Sequence, residues 1–446
     1  MAKVDPNLLI EQEWSGTFYP PGRTDLSFGG RLRYSPTEGV RLEYARPLVA
    51  AERDLKWDYL HGHTTSGIPL TLVGSFSSDG SGFNMHNGLT YWSSSGYPFL
   101  YVIFGFHFDD QTTFDTFEFD ISGAQEFFAP EGAKRHIPYS RTDVISAKTV
   151  VGEIKVIHTG NFEFTGNNLD AYFYSTDPAG LEEWQRAYDD IRGRRPEFRP
   201  FFRKSLDYLF RFVPDSELTV PGAFKVISRI SDLFAVLFFD PAKILHLTAV
   251  ARDGEGKPHP MVVFPATLND MATIERSLEE RSYHQLPLNC ADVDFGSLLC
   301  SWLQKDDRFS TVTSMLQGKV SVISSHDVYG SIVLGATQLE DMAVQSGKKS
   351  KLEKFEFGLQ HFASAALNRH LAKLFGCQEN EIGEAISDLR NEIAHVGRPK
   401  KYLVKLNNRQ LFVVAMALQT VVIGYVLEQV GVTKGAREKF QDALIG

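Results

Sequence analysis

Apolar and polar positions alternate through the first third of the chain, and the period then changes. Leu32 and Tyr34, then Val40, Leu42 and Tyr44, then Phe104, Phe106 and Phe108, then Phe117 and Phe119 each recur two residues apart. That is the repeat of a β-strand with one buried face. Turn-forming clusters such as Ser35-Pro36-Thr37-Glu38-Gly39 and Ser77-Ser78-Asp79-Gly80-Ser81-Gly82 separate the runs, so the pattern up to about residue 177 predicts a twisted antiparallel sheet or sandwich. Residues from about 179 look helical until Arg195-Pro196 and Arg199-Pro200 interrupt them, because the residue before a proline is steered away from helical geometry. Residues 223–250 are apolar and fit either strand or helix. From Cys290 onward the pattern is helical, with a polar break at residues 345–350, a helical stretch over about 352–377 and a long apolar helix over about 404–430. Together these changes predict an α+β multidomain fold. A β-rich N-terminal sheet or sandwich region occupies 1–178, a mixed connecting region 179–288, and an all-α helical bundle 289–446.

Ahead of the last long helix the chain reads Asp388-Leu389-Arg390-Asn391-Glu392-Ile393-Ala394-His395-Val396-Gly397-Arg398-Pro399. At about 100° per residue two faces separate. Ile382, Ala385, Ile386, Leu389, Ile393 and Val396 share an apolar stripe, Glu384, Asp388, Asn391 and His395 share the opposite face, and Arg390 lies on the boundary. Gly397 is placed as a C-cap and Pro399 as a stop, which puts His395 in the last helical turn. Arg390, Asn391 and His395 supply a fixed cation, an amide and a group that titrates near neutrality, a set suited to cleaving a phosphodiester. Taken alone, the spacing also fits a solvated polar face that carries one histidine.

The run resembles the Arg-x4-6-His signature of HEPN domains in its Arg-Asn-x3-His form, and its place before the last long helix of a bundle is the arrangement of that family. The N-terminal part resembles the N-terminal domain of ApeA-type abortive-infection proteins. The matching residues are Trp14-Ser15-Gly16-Thr17-Phe18, Gly30-Arg31-Leu32, and His61-Gly62 followed by Pro69-Leu70-Thr71-Leu72. The resemblance implies an antiphage endoribonuclease that cleaves host RNA, with tRNA as the candidate substrate. It further implies a homodimer in which Arg390, Asn391 and His395 of two chains line one cleft. His395 would move the proton, Arg390 would stabilise phosphoryl charge, and Asn391 would orient the histidine or the phosphate. No metal or other cofactor is called for. The β-rich region would sense infection, with a phage-encoded protein as trigger, or restrain the nuclease. A rival of another class is a non-catalytic scaffold, in which the bundle dimerises and the β-region binds a protein or ligand.

Charge sharpens this picture. The net charge is −9, yet residues 345–446 carry 15 Lys plus Arg against 10 Asp plus Glu, or +5, which leaves −14 on the rest. A nucleic-acid surface therefore belongs at the C-terminal end. Arg398, Lys400, Lys401, Lys405 and Arg409 cluster after the motif, and among them Arg398, Lys400, Lys401 and the aromatic Tyr402 are the candidate RNA-binding residues, the cations for phosphates and the ring for a base. A solvated helix start explains the cluster equally well. Glu384, Asp388 and Glu392 bring negative charge close to the same place.

Other features carry less. Arg192, Arg194, Arg195, Arg199, Arg203 and Lys204, interleaved with Phe198, Phe201 and Phe202, suit an interdomain or dimer interface somewhat better than RNA. His61 and His63 offer two metal ligands without a visible third, so a turn is the simpler reading and a metal-dependent hydrolase a remote one. The acidic, Phe-rich run from Phe108 to Asp120 reads as half-exposed strand. Three widely spaced cysteines, Cys290, Cys300 and Cys377, suit a reducing compartment. The residues after Met1 lack the apolar core of a signal peptide, and a cytoplasmic location is expected. The apolar run over 411–427 is interrupted by Gln419 and Thr420 and is short for a membrane span, so a buried bundle helix or dimer interface is expected there. No G-x4-G-K-[ST] loop for a nucleoside triphosphate is present.

Overall fold

Strand-forming sequence extends well past the first third of the chain. In a computed structural model the described residues are 4–47, 56–77, 82–86, 89–128, 142–164, 176–197, 201–252, 258–266, 269–279, 285–305, 307–320, 325–348 and 351–445. The strands are β1 (Gln12–Tyr19), β2 (Phe28–Ser35), β3 (Gly39–Pro47), β4 (Lys56–Thr64), β5 (Pro69–Ser77), β6 (Gly82–His86), β7 (Leu89–Phe99), β8 (Tyr101–Phe104), β9 (Thr116–Ile121), β10 (Thr142–Thr149), β11 (Gly152–Phe164), β12 (Phe201–Pro214), β13 (Ile244–Arg252) and β14 (Pro258–Pro265). They form one sheet of 14 strands in the order β10-β11-β12-β9-β13-β14-β8-β5-β4-β1-β2-β3-β7-β6. A single antiparallel sheet thus stands where a sheet or a sandwich was expected.

The segment 179–288, expected as a connecting region, contributes β12, β13 and β14 to the interior of that sheet. The expectation missed this because β12 follows directly on a helix and a proline-rich break. Phe106 and Phe108, which continue the alternation of Phe104, lie in the loop beyond β8. In β9 the alternation holds, with Phe117 and Phe119 buried and Glu118 and Asp120 half-buried on the other face.

The matching residues of the first strands have a packing reason. Phe18 is buried, and a Cβ on Gly62 would meet its ring at 2.8 Å. A Cβ on Gly30 would meet the same ring at 3.2 Å and the Glu43 carbonyl at 2.9 Å. The two glycines, on the two neighbours of β1, make room for one aromatic ring between three strands.

The helices are α1 (Ala124–Phe128), α2 (Pro178–Arg194), α3 (Val220–Phe238), α4 (Met271–Leu278), α5 (Phe295–Leu303), α6 (Ser310–Gln317), α7 (Ser325–Gln345), α8 (Lys351–Phe362), α9 (Ala365–Phe375), α10 (Ile382–Ala394), α11 (Tyr402–Lys405), α12 (Asn408–Gln429) and α13 (Lys434–Ile445). The ambiguous segment 223–250 divides into helix α3 and strand β13. Pro221 pre-sets the first turn of α3, and Phe239 ends it with φ +56°, the single left-handed non-glycine among the described residues. Packing holds that conformation: Phe239 lies against Phe440 at 6.1 Å and beneath Lys319 Nζ at 4.2 Å. Helix α3 covers the sheet through Phe234, which meets Phe210 of β12 at 5.7 Å, and Phe210 stacks on Phe119 of β9 at 5.1 Å.

Helices α7 to α13 form the C-terminal bundle. Helix α12 is long and apolar enough to cross a membrane, but 72% of its apolar window is buried inside the protein. Val414, Leu418, Val421 and Leu427 are fully or nearly fully covered by the other helices, as expected of a helix apolar on every side at the centre of a bundle. The bundle and the sheet share one continuous core, closed at α13 by the Phe239–Phe440 contact and by a Lys439–Asp292 ion pair at 2.6 Å.

Candidate active site

A 3-10 turn, Glu379–Glu381, leads into helix α10 and opens on a capping box, in which Gln378 and Glu381 exchange side-chain bonds to each other's backbone amides. Ile382, Ala385, Ile386 and Leu389 bury its apolar face. Its end differs from the expectation in two respects. The helix stops at Ala394, and His395 is an extended cap residue (φ −123°, ψ 115°) instead of a member of the last turn. Gly397 is not left-handed and does not cap the helix. The terminal carbonyls are met by the Lys400 ammonium instead, which donates to the Glu392 carbonyl and, at 3.1 Å, to that of His395.

Asn391 was placed on the polar face with Glu384, Asp388 and His395, but its side chain is 8% exposed and turned inward. Its Oδ1 accepts a bond from Arg390 Nη1 at 3.2 Å, and its backbone carbonyl accepts the His395 amide at 3.0 Å. The three motif residues are therefore joined by hydrogen bonds. Arg390 is half-buried, and its Nε is enclosed without a hydrogen-bond partner. The side chain of His395 is exposed. Val396, assigned to the apolar stripe, is 97% exposed because the chain has already left the helix.

Glu392 is buried and does not add to the surface charge it was expected to join. At 4% exposure, its carboxylate accepts the amides of Tyr402 (2.9 and 3.1 Å) and Leu403 (3.0 Å) at the start of α11. Tyr402 does not offer its ring to a base: it is 5% exposed, edge-on to Phe375 at 5.3 Å. Lys400 is committed to the end of α10, and Lys405 to the Phe375 carbonyl at the end of α9, at 2.5 Å. Both lysines are exposed all the same, as are Arg398, Lys401 and Arg409. Lys401 lies 4.6 Å from the centre of the Tyr402 ring, and its pKa is raised, chiefly by that tyrosine. Glu392 and Lys405 were missed as structural groups because their partners lie ten and thirty residues away in the chain.

In the β-rich region His61 and His63 lie on strand β4, not on a turn, and face His107 from the loop after β8. The ring centres are 4.4 Å apart for His61–His107 and 4.7 Å for His63–His107. His61 donates to the Phe108 carbonyl at 2.8 Å and His107 to the Gly62 carbonyl at 3.0 Å, which pins the loop to β4. Burial holds His61 and His63 below the usual histidine range. No group of three or more His, Cys, Asp or Glu side chains converges as a metal site among the described residues. A cleft of about 1720 Å³ opens on the sheet, with Glu118, Arg211, His246 and His259 among its lining. Arg211 Nη2 pairs with Glu118 at 2.6 Å, and burial pushes His246 down. Arg192, Arg194 and Arg195 are at or near the surface, with Arg194 paired to Asp190 at 2.6 Å. Phe198 and Arg199, and the side chains of Phe201, Phe202, Arg203 and Lys204, lie outside the described residues.

Two family models match the chain: ApeA N-terminal domain 1 over residues 13–302 and Apea-like HEPN over residues 336–436. The first covers the sheet and helices α1 to α4 and reaches into α5, and the second runs from within α7 into α13 and contains the whole of α10. No curated protein and no solved structure matches.

Proposed function

The chain belongs to the ApeA family, and on that premise we propose that it is an antiphage abortive-infection endoribonuclease acting on host RNA in the cytoplasm, with tRNA the first substrate to test. An Apea-like HEPN domain supports a nuclease-type role at the level of the family. The observation that carries the finer reading is the end of α10, where Arg390 bonds to the Asn391 side chain, the His395 amide bonds to the Asn391 carbonyl, and His395, Arg398 and Lys401 are exposed.

The reaction follows from these groups. A ribose 2′-oxygen attacks the adjacent phosphorus as its proton passes to one His395. The 5′-oxygen leaves with a proton from a second His395, which gives a 2′,3′-cyclic phosphate and a 5′-hydroxyl. Positioned proton transfer of this kind contributes roughly 10²–10⁴-fold. Arg390 stabilises the charge that builds on the non-bridging oxygens, and this permanent cation makes a metal unnecessary. DNA lacks the nucleophile and is not cut. Two histidines call for two chains, and the exposed Val396 and Val404, at 97% and 80%, support a second copy covering this end of the bundle. The β-rich region, with its cleft, is the place we assign to sensing a phage-encoded protein or restraining the nuclease.

The test is incubation of wild type and His395→Ala with total tRNA in EDTA, followed by analysis of fragment ends. Cyclic phosphate from the wild type alone supports the reading. If neither protein cuts, with or without infected-cell extract, the bundle is a dimerisation scaffold.

A further inference from the structure

Lys400 reads from the sequence as a phosphate-binding cation, and Glu392 as a charge that opposes RNA. We infer instead that Lys400 and Glu392 are positioning residues that together lock the turn carrying His395 between α10 and α11. The inference rests on the ribonuclease reading of that turn.

Residue 392 is held from both sides. Its carbonyl, one of those left without an intrahelical partner at the end of α10, accepts from the Lys400 ammonium, which also reaches the His395 carbonyl at 3.1 Å. A cation at the negative end of a helix is favoured there by the helix dipole as well. The carboxylate of the same residue runs the other way and accepts the amides of Tyr402 and Leu403, the donors left open at the start of α11. The eight residues from His395 to Tyr402 therefore leave Glu392 through one set of bonds and return to it through another. Tyr402 anchors the far end against Phe375, and the Arg398 amide adds a bond to the His395 carbonyl at 3.3 Å. His395 has left the helix, so its position relative to Arg390 depends on this closed loop. A catalytic side chain on a turn reaches working precision when surrounding hydrogen bonds fix it.

The experiment compares wild type with Lys400→Met, Lys400→Arg and Glu392→Gln in steady-state tRNA cleavage and in hydrogen exchange. Lys400→Met keeps the alkyl stem and removes the donor. We expect its kcat to fall roughly 10- to 100-fold, with KM and its salt dependence unchanged and with recovery in Lys400→Arg. Exchange should quicken in Lys400→Met and Glu392→Gln at residues 395–403 while α12 stays protected. A raised KM with a flatter salt dependence and unchanged exchange identifies Lys400 as a phosphate ligand and overturns the proposal. If the wild type cleaves no RNA, the ribonuclease reading fails on its own account and exchange alone decides: faster exchange confined to 395–403 sustains the clamp, and unchanged rates overturn it.

Discussion

Glu392 and His395 are three residues apart and end in opposite environments, the first enclosed with its carboxylate on two backbone amides, the second exposed. Helical periodicity alone puts Asn391 and His395 together on one face, and it fails here because the helix ends one residue before the histidine. This decides what substitutions do. His395→Ala and Arg390→Ala should each lower RNA cleavage by at least about 10²-fold, and His395→Ala should leave the thermal midpoint unchanged, since an exposed side chain contributes little to stability. Tyr402→Ala, by contrast, should cost about 3–5 kcal/mol in urea unfolding, the range for removing a large buried aromatic side chain. An unchanged midpoint with weakened RNA binding would return Tyr402 to its expected role as a base-stacking ring. Arg398→Ala and Lys401→Ala should raise KM and each reduce the salt slope of RNA binding by roughly 0.7–0.9, and a slope equal to that of wild type would remove them from the RNA surface.

Among the elements, α12 and α3 show how far pattern reaches. The run from 404 to 430 reads correctly as helix, and its uniform apolarity fits the bundle centre, but its closest approach was not legible. A Cβ on Gly424 would meet the Gln441 side-chain Nε2 at 2.6 Å and the Phe362 carbonyl, at the end of α8, at 2.7 Å. Helix propensity by itself predicts that Gly424→Ala stabilises by up to about 1 kcal/mol. Packing predicts a loss of about 1–3 kcal/mol, and the sign of the change in urea unfolding separates the two. Helix α3 was ambiguous because a buried helix and a buried strand are both apolar throughout. The helix was settled by Pro221 in its first turn and by the left-handed Phe239, whose conformation the neighbouring bundle supports.

For the molecule as a whole, sheet and bundle share one core, so their stabilities should be linked. Phe440→Ala should cost about 3–5 kcal/mol and divide a single unfolding transition into two, as seen by far-UV circular dichroism with heating. One unshifted transition would show that the α13 contact does not couple the regions. Histidine gives a second global handle. Burial holds His246, His61 and His63 below the usual range, so as pH falls through about 6.5 the unfolded chain takes up protons first. Stability is then complete above that pH and is lost as pH falls towards the folded values. The thermal midpoint should drop between pH 7.5 and pH 5.5, and His246→Gln, neutral throughout, should lessen the slope. A slope identical to that of wild type would remove His246 from the linkage.

Local chemistry by itself determined the succession of strand-rich and helix-rich regions and the family, because period, turn residues and short motifs are properties of neighbours in the chain. Tertiary structure decided what depends on distant neighbours. It placed β12, β13 and β14 of the supposed connector inside the sheet, since strand pairing joins residues far apart in sequence. It brought His107 to His61 and His63 across a loop. It also drew the Tyr402 ring and the Glu392 carboxylate inside and set the exposed Lys400 and Lys405 on backbone carbonyls at helix ends, because those unsatisfied backbone groups lie within reach of them.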